Sequence, residues 1–194
     1  MPTIVLARHG KPDWDEKTPI PGHALAEWVR GRDAAPIDPA TLPPAELVQI
    51  GRSSRVLAAS PLRRSLESAE AVAPGVVPRI DPLFQEVFLP TDIRAGLRLR
   101  PQVWTSIARS AWYGGWSPGV ESFTEARHRA ALAADVLVDL ASTQESVLLV
   151  GHGIMNGLIG RRLRHAGWSG PRFRPRRLWA FAVYQQLSIL PRIS

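Results

Sequence analysis

The chain has 194 residues, 45% of them hydrophobic and 21% charged, a composition that favours one globular domain with a core of its own. It contains no cysteine, which excludes disulfide bonds, thiol nucleophiles and thiolate metal sites. The formal net charge is +7 and the pI is about 11.1. Three interpretations of this charge stay open: nucleic-acid binding, an anionic small substrate, or a compositional bias toward arginine.

The first apolar run, at residues 3–7, is predicted to be a buried strand rather than a targeting segment. It is too short for a signal peptide and Arg8 follows it at once. No apolar stretch approaches the ~20 residues that span a bilayer. We therefore expect a soluble cytoplasmic protein without a membrane partner, folded as one domain over residues 1–194.

Strands and helices are predicted to alternate along the rest of the chain. Ser60 and Pro61 have the pattern of an N-cap followed by Pro at the first helical position. Ser122 and Glu125 have the pattern of a capping box at the start of a long helix. This alternation is typical of an α/β fold with a mostly parallel sheet. The predicted strands are residues 3–7, 55–59, 146–150 and 178–184, and the predicted helices begin near residues 24, 61, 97 and 123.

Three polar motifs follow predicted strands. Arg8-His9-Gly10 comes after the first strand, Ser60-Pro61-Leu62-Arg63-Arg64 after the second, and Gly151-His152-Gly153 after the third. Ligands of open α/β sheets bind at the carboxyl ends of strands, and a helix N-terminus offers N–H groups to an anion. Two histidines and two arginines are therefore predicted to meet at a site for a phosphoryl group.

These motifs, in this order, resemble those of the histidine phosphatase superfamily, the phosphoglycerate mutase-like branch with an RHG sequence. Phe84-Gln85-Glu86 and Gly119-Val120-Glu121-Ser122 resemble two further steps of its pattern. The resemblance implies a three-layer α/β/α fold and a phosphatase that needs no metal and no cofactor. The sequence departs from the pattern after Gly10, where Lys11 and Pro12 replace the common Glu-Thr, and after Glu86, so the substrate does not carry over.

The resemblance also implies roles for individual residues. His9 is the expected nucleophile, which would become phosphohistidine. Arg8, Arg64 and His152 would bind the phosphoryl oxygens, and His152 also counts among the catalytic residues. Glu86 would protonate the leaving oxygen as general acid; the next candidates for that role are Glu121 and Asp92. We expect one ring nitrogen of His9 to donate to a backbone carbonyl, and nearby arginines to keep the ring neutral.

The remaining features allow simpler interpretations. His23, His128 and His165 lack metal-ligand spacing and are predicted to be surface or capping residues. Aromatic residues between Trp104 and Trp116 are predicted to pack, or alternatively to line a pocket, in a cap inserted around residues 87–119. A basic run at residues 172–177 is predicted to be a solvated face. The predicted partner is a small phosphorylated substrate or a phosphoprotein. A phosphomutase and a non-enzymatic protein that binds phospho-ligands or nucleic acid remain alternative functions.

Overall fold

A six-stranded sheet is the centre of the structure, a computed structural model that describes residues 1–171 and 177–186. Its strand order is β4-β3-β6-β1-β8-β7, and a separate two-stranded sheet pairs β2 with β5. The strands are β1 (Thr3–Arg8), β2 (Ile20–Pro21), β3 (Val56–Ala59), β4 (Arg79–Ile80), β5 (Arg98–Leu99), β6 (Ser146–Gly151), β7 (Trp168–Ser169) and β8 (Phe181–Gln186). The first four strands in the order run parallel, and β8 joins β1 in antiparallel direction.

Helices cover both faces of this sheet. In the described residues they are α1 (Leu25–Ala34), α2 (Ala45–Ser53), α3 (Arg63–Val72), α4 (Pro101–Tyr113), α5 (Phe123–Gln144) and α6 (Gly153–His165). Side chains alternate along β1, so Ile4 and Leu6 belong to the core under α5 and α6, whereas Val5 and Ala7 belong to the core under α2 and α3. The predicted three-layer α/β/α architecture with a mostly parallel sheet is confirmed.

Two local predictions at strand–helix junctions have opposite outcomes. The capping box at α5 is confirmed, because Ser122 accepts from the Glu125 N–H and the Glu125 side chain accepts from the Ser122 N–H. The N-cap at Ser60 is wrong. Helix α3 begins two residues later, at Arg63, with the extended residue Leu62 as its N-cap. The Ser60 hydroxyl contacts His152 Nε2 and accepts from the Leu62 N–H, so it bonds to the loop before the helix rather than to the first turn.

Other differences from the prediction have local causes. Strand β8 begins at Phe181 rather than near residue 178, because Trp179 has a left-handed φ of 61° that no strand accommodates. Helix α4 begins at Pro101 rather than near residue 97, since β5 precedes it. Helix α2 was not predicted; it follows Pro44 and buries Leu47 against α3. No helix of the described residues is long and apolar enough to cross a membrane.

The predicted aromatic packing is observed around α4. Trp104 and Trp112 are buried, and their indole N–H groups donate to the carbonyls of Ile20 and Glu121. Tyr113 and Trp116 are exposed, and none of the four aromatic residues lines the cavity above His9, so packing is confirmed for Trp104 and Trp112. A cap with boundaries at 87–119 stays a prediction. The basic run lies outside the described residues except for Arg177, which is exposed.

Candidate active site

Two histidines lie side by side at the carboxyl end of the sheet. His9 follows β1 and His152 follows β6, and because these strands are parallel neighbours, with Arg8 opposite Gly151, their loops leave the sheet together. The His9 N–H donates to the Gly151 carbonyl at 3.0 Å, and the two ring centres are 5.1 Å apart. Both side chains are buried. The expectation that these two motifs meet is confirmed.

Gly10 gives the turn after His9 its shape. The Trp179 ring occupies the space that a Cβ atom on Gly10 would need, so a larger residue would push the ring away. The Gly10 N–H donates to Ser68 Oγ at 2.9 Å, and the Trp179 indole N–H donates to the Thr41 carbonyl at 3.1 Å. Neither Trp179 nor Ser68 was identified from the sequence as a support of the site.

Hydrogen bonds select one tautomer of His9. Its Nδ1 lies 2.6 Å from the Gly10 carbonyl oxygen, and because a carbonyl can only accept, Nδ1 carries the proton. Arg64 Nε donates to His9 Nε2 at 3.2 Å, so Nε2 presents a lone pair. The predicted donation to a backbone carbonyl is confirmed, and Nε2 is the ring nitrogen that can act as a nucleophile.

Burial and positive charge keep His9 neutral. The pKa of His9 is lowered well below its ordinary value, first because burial disfavours the imidazolium and then because the Arg64 guanidinium lies beside the ring. The hydrogen bond to the Gly10 carbonyl opposes this shift. From the sequence the arginines alone were expected to keep the ring neutral, whereas in the structure burial contributes most.

Arg64 is held between His9 and an aspartate that the sequence analysis missed. Its side chain is 2% exposed, and its Nη1 donates to Asp33 Oδ1 at 2.6 Å. Burial lowers the pKa of Arg64 and Asp33 raises it. Because α1 carries Asp33 onto α3, the ion pair joins two helices at the edge of the cavity. No short-range pattern links residues 31 positions apart, so only the fold identifies Asp33.

Arg8 lies at the same cavity as Arg64. Burial lowers the pKa of Arg8, and the nearby Glu86 carboxylate raises it. A Cβ atom on Gly153 would lie 3.6 Å from the Arg8 guanidinium carbon, an ordinary van der Waals contact, so Arg8 packs against the start of α6. Arg8, His9 and Arg64 thus all contribute to the cavity lining, as the sequence predicted.

His152 is fully buried directly beside His9, which lines the cavity, and is not itself among the lining residues. Its Nε2 is 2.8 Å from Ser60 Oγ and 3.2 Å from Ser65 Oγ. The pKa of His152 is lowered well below its ordinary value, mainly by burial and then by Arg64 and His9. The side chain is therefore neutral, with one ring nitrogen facing two hydroxyl groups.

Glu86 caps helix α6. Its Oε1 accepts from the N–H groups of Val87 at 3.1 Å and Met155 at 3.0 Å, and its Oε2 accepts from the Ile154 N–H at 3.3 Å. The carboxylate satisfies N–H groups of the first turn, where the helix dipole favours a negative charge. Glu86 also lines the cavity. Oε2 has the single, longer contact and is the oxygen that is better placed to turn toward a ligand.

The two reserve candidates for the general acid differ in position. Glu121 lines the cavity, but its carboxylate is paired with Arg129. Arg129 also donates to the carbonyls of Leu83 and Gln85, at 3.0 and 2.7 Å, in the segment that leads to Glu86. Asp92 is 75% exposed beside Arg94 and does not line the cavity. Glu86 remains the carboxylate best placed among the three.

The cavity above His9 has a volume of about 700 Å³. Helix α1, helix α4 and the segment at residues 87–91 form its walls, which adds three arginines that the sequence analysis did not single out. They are Arg30, Arg32 and Arg109. Arg32 is paired with Glu16, whose other oxygen accepts from Gln102 of α4 at 3.2 Å. The cavity is therefore lined by five arginines and four acidic residues as well as by apolar side chains.

Within residues 1–171 and 177–186, no group of three or more His, Cys, Asp or Glu side chains is arranged to hold a metal ion. His23, His128 and His165 are exposed and lie outside the cavity lining, as the prediction of surface positions requires. The residues gathered at this end of the cavity are two neutral histidines, two arginines and one carboxylate. This set provides a nucleophile, cationic hydrogen-bond donors and a carboxyl group that can donate a proton.

Solved structures of other proteins share this fold. No curated protein sequence matches the chain. Structural similarity extends to a mycobacterial glucosyl-3-phosphoglycerate phosphatase complexed with VO3, with a TM-score of 0.57, 20% identity and coverage of 92% of this chain and 98% of that one. It also extends to an Entamoeba histolytica phosphoserine phosphatase complexed with 3-phosphoglyceric acid, with a TM-score of 0.55, 20% identity and coverage of 85% and 81%.

A third similar structure comes from Thermus thermophilus, with a TM-score of 0.58, 19% identity and coverage of 93% of this chain and 92% of that one. At such identities the structural likeness establishes the fold. The family itself is identified by the sequence model of the histidine phosphatase superfamily (branch 1), which matches residues 4–178. That range contains every residue to which the sequence analysis assigned a role in the site. The chain therefore belongs to the histidine phosphatase superfamily.

Proposed function

We propose that the protein is a phosphatase that hydrolyses phosphomonoesters through a phosphohistidine on His9, without a metal ion. The observation that carries this proposal is the state of His9. The ring is buried, its pKa is lowered, and its Nδ1–H donates to the Gly10 carbonyl. A neutral imidazole with the Nε2 lone pair directed to Arg64 has the electronic form that a nucleophile needs.

In the first step, the Nε2 lone pair of His9 attacks phosphorus and the bond from phosphorus to the ester oxygen breaks. Glu86 gives its proton to that leaving oxygen, which departs as an alcohol. In the second step, a water oxygen attacks the phosphohistidine, its proton passes to Glu86, and the N–P bond breaks to release inorganic phosphate. Atoms and charges then return to the starting state.

Arg8, Arg64 and His152 would bind the phosphoryl oxygens. Positive groups that are already in place stabilise the charge of the transition state without reorganisation. Arg64 has the clearest geometry, because its Nε now donates to the attacking nitrogen. An entering phosphoryl group would take over this donor, which frees the Nε2 lone pair for attack at the same moment.

A small phosphorylated molecule is the proposed substrate. The cavity volume of about 700 Å³ lies within the range of small-ligand sites, and the arginines of its walls favour anionic ligands. Two structurally similar proteins are phosphatases of glucosyl-3-phosphoglycerate and of phosphoserine, and both substrates are small phosphomonoesters. We extend only this general substrate class to the present chain.

The experiment is hydrolysis of an aryl phosphate by the wild type and by His9→Ala, with His23→Ala as a control because His23 is exposed and outside the cavity lining. Acid-labile, base-stable phosphate should be trapped on the wild type and on the control, and only His9→Ala should lose activity. If His9→Ala keeps more than a few per cent of the rate, the proposal is wrong. Inactive wild type with steeply salt-dependent nucleic-acid binding would favour the non-enzymatic alternative.

A further inference from the structure

His152 has one ring nitrogen bound by the protein and one that is not. Nε2 contacts the hydroxyl groups of Ser60 and Ser65. Nδ1 is buried and makes no hydrogen bond with the described residues. A buried polar atom without a partner costs free energy, and such atoms are rare in folded proteins. The unpaired nitrogen belongs to a side chain whose ring centre is 5.1 Å from that of His9.

The hydrogen bonds of Ser60 determine which nitrogen carries the proton. The Leu62 N–H donates to Ser60 Oγ at 3.3 Å, which leaves the hydroxyl hydrogen of Ser60 to be donated elsewhere. His152 Nε2 lies 2.8 Å from this oxygen. If Nε2 accepts this hydrogen, both Ser60 Oγ and His152 Nε2 are satisfied, and Nδ1–H is the donor that remains available. If Nε2 were instead protonated, Ser60 Oγ would accept twice and its own hydrogen would have no partner.

We propose that Ser60 is a positioning residue, which holds neutral His152 as the tautomer with Nδ1–H and thereby keeps this N–H for a phosphoryl oxygen. The inference rests on the proposed function and adds to it a residue for which the sequence predicted only helix capping. The opposite tautomer would direct a lone pair from Nδ1 toward an anionic ligand and repel it. Ser65 Oγ also lies within hydrogen-bond distance of Nε2, at 3.2 Å, on the same side of the ring as Ser60.

The burial of these groups strengthens the assignment. Ser60, Ser65 and His152 are each fully buried, so water does not compete for Nε2. The lowered pKa of His152 means that the ring does not satisfy both sides by taking a second proton. A neutral ring has one N–H donor and one acceptor nitrogen. In the proposed tautomer Nε2 accepts on the serine side, and Nδ1–H is the donor for the ligand.

The tautomer is measurable by nitrogen NMR of the ¹⁵N-labelled full chain, because protonated and unprotonated ring nitrogens have well separated resonances. We expect wild-type His152 to be protonated on Nδ1 and not on Nε2. Addition of vanadate should shift the Nδ1 resonance. A wild-type spectrum with the proton on Nε2 would overturn the inference, and this result does not depend on any variant folding.

The variant Ser60→Ala/Ser65→Ala tests the cause of the tautomer. It should lose the preference for Nδ1–H and bind vanadate ~10–100-fold more weakly, the range for one hydrogen bond to a charged group. Ser54→Ala is the control, since the hydroxyl of this serine donates to the Ile50 carbonyl of its own helix region. Unchanged tautomer and vanadate affinity in the double variant would contradict the role of Ser60, even if His9→Ala abolishes turnover and the proposed function stands.

Discussion

Replacing Glu86 by Gln separates the structural role of this residue from its proposed chemical role. The amide can place its carbonyl oxygen at the position of Oε1, which keeps the contacts to Val87 and Met155. Only the 3.3 Å contact from Ile154 is then lost. For one long hydrogen bond at a helix N-terminus we expect a loss of about 1 kcal/mol in the free energy of unfolding, which is a Tm decrease of about 2–4 °C in a chain of this size.

The effect on catalysis should be much larger and should depend on the leaving group. An alkyl phosphate has a poor leaving oxygen that must be protonated, so Glu86→Gln should lower kcat by ~10²–10⁴. An activated aryl phosphate departs readily as a phenolate, so its first step should fall by less than about tenfold. Hydrolysis of the phosphohistidine can then limit the rate, and the phosphorylated enzyme should accumulate.

The assay compares kcat for one alkyl and one aryl phosphate in the wild type, in Glu86→Gln and in Glu121→Gln. Glu121 is a suitable control because its carboxylate lines the same cavity but is paired with Arg129. Its replacement should disturb both substrates by a similar factor through the segment that Arg129 holds. Thermal unfolding of each variant shows whether the fold has changed.

An equal loss on both substrates in Glu86→Gln would refute the reasoning, because a helix cap has no reason to distinguish an alkyl from an aryl leaving group. A leaving-group dependence that appears in Glu121→Gln instead would assign the proton donor to that residue. The ratio of the two losses is therefore the decisive quantity, rather than the loss on either substrate alone.

Three further measurements test Asp33, the two buried histidines and the proposed independence of metal ions. Asp33→Ala should lower kcat/KM ~10²-fold because it releases Arg64. Asp33→Asn should lower kcat/KM less, since the amide oxygen still accepts from Arg64 Nη1. Equal losses in the two variants would argue that this contact does not position Arg64. The pKa values of His9 and His152 are lowered in the folded state, so the unfolded chain binds more protons below its histidine pKa of ~6.5. The free energy of unfolding should therefore fall as pH decreases through that value, by up to about 1.4 kcal/mol per pH unit for each histidine. Urea unfolding at pH 7.5 and 5.5 should show this loss, and the double variant His9→Asn/His152→Asn should lack it. Vanadate should inhibit turnover of an aryl phosphate and EDTA should not; a loss of activity with EDTA that one divalent ion restores would indicate a metal-dependent reaction.

The parts of the site that could be predicted are those with a local sequence signature. His9, Arg64 and His152 each follow a strand that an apolar run identifies, and strand ends of a parallel sheet meet at one edge. Periodicity and a capping box likewise located α5. In each case the physical signal lies within a few residues of the position that it predicts, so it does not depend on the rest of the fold.

The parts that could not be predicted depend on contacts between distant segments. Asp33 reaches Arg64 across 31 positions, and Trp179 fills the space beside Gly10 from the other end of the chain. The false N-cap at Ser60 has the same origin. A serine before a proline favours a cap locally, but in the fold its hydroxyl contacts a buried imidazole 92 positions away and the Leu62 N–H of the loop before the helix. Local propensity gave way to the need to satisfy a buried polar group.

The two histidines show how the protein can obtain different functions from one chemical group. Both are buried and neutral, and the Gly10 carbonyl requires a proton on Nδ1 of His9. In His9 the protein binds the N–H side through the Gly10 carbonyl, which leaves a lone pair for attack on phosphorus. In His152, as we propose, the protein binds the lone-pair side through the Ser60 hydroxyl, which leaves an N–H for a phosphoryl oxygen. The proposed nucleophile His9 and the proposed ligand-binding residue His152 therefore differ in which ring nitrogen is hydrogen-bonded by the protein. They do not differ in protonation state or in the direction of the pKa shift.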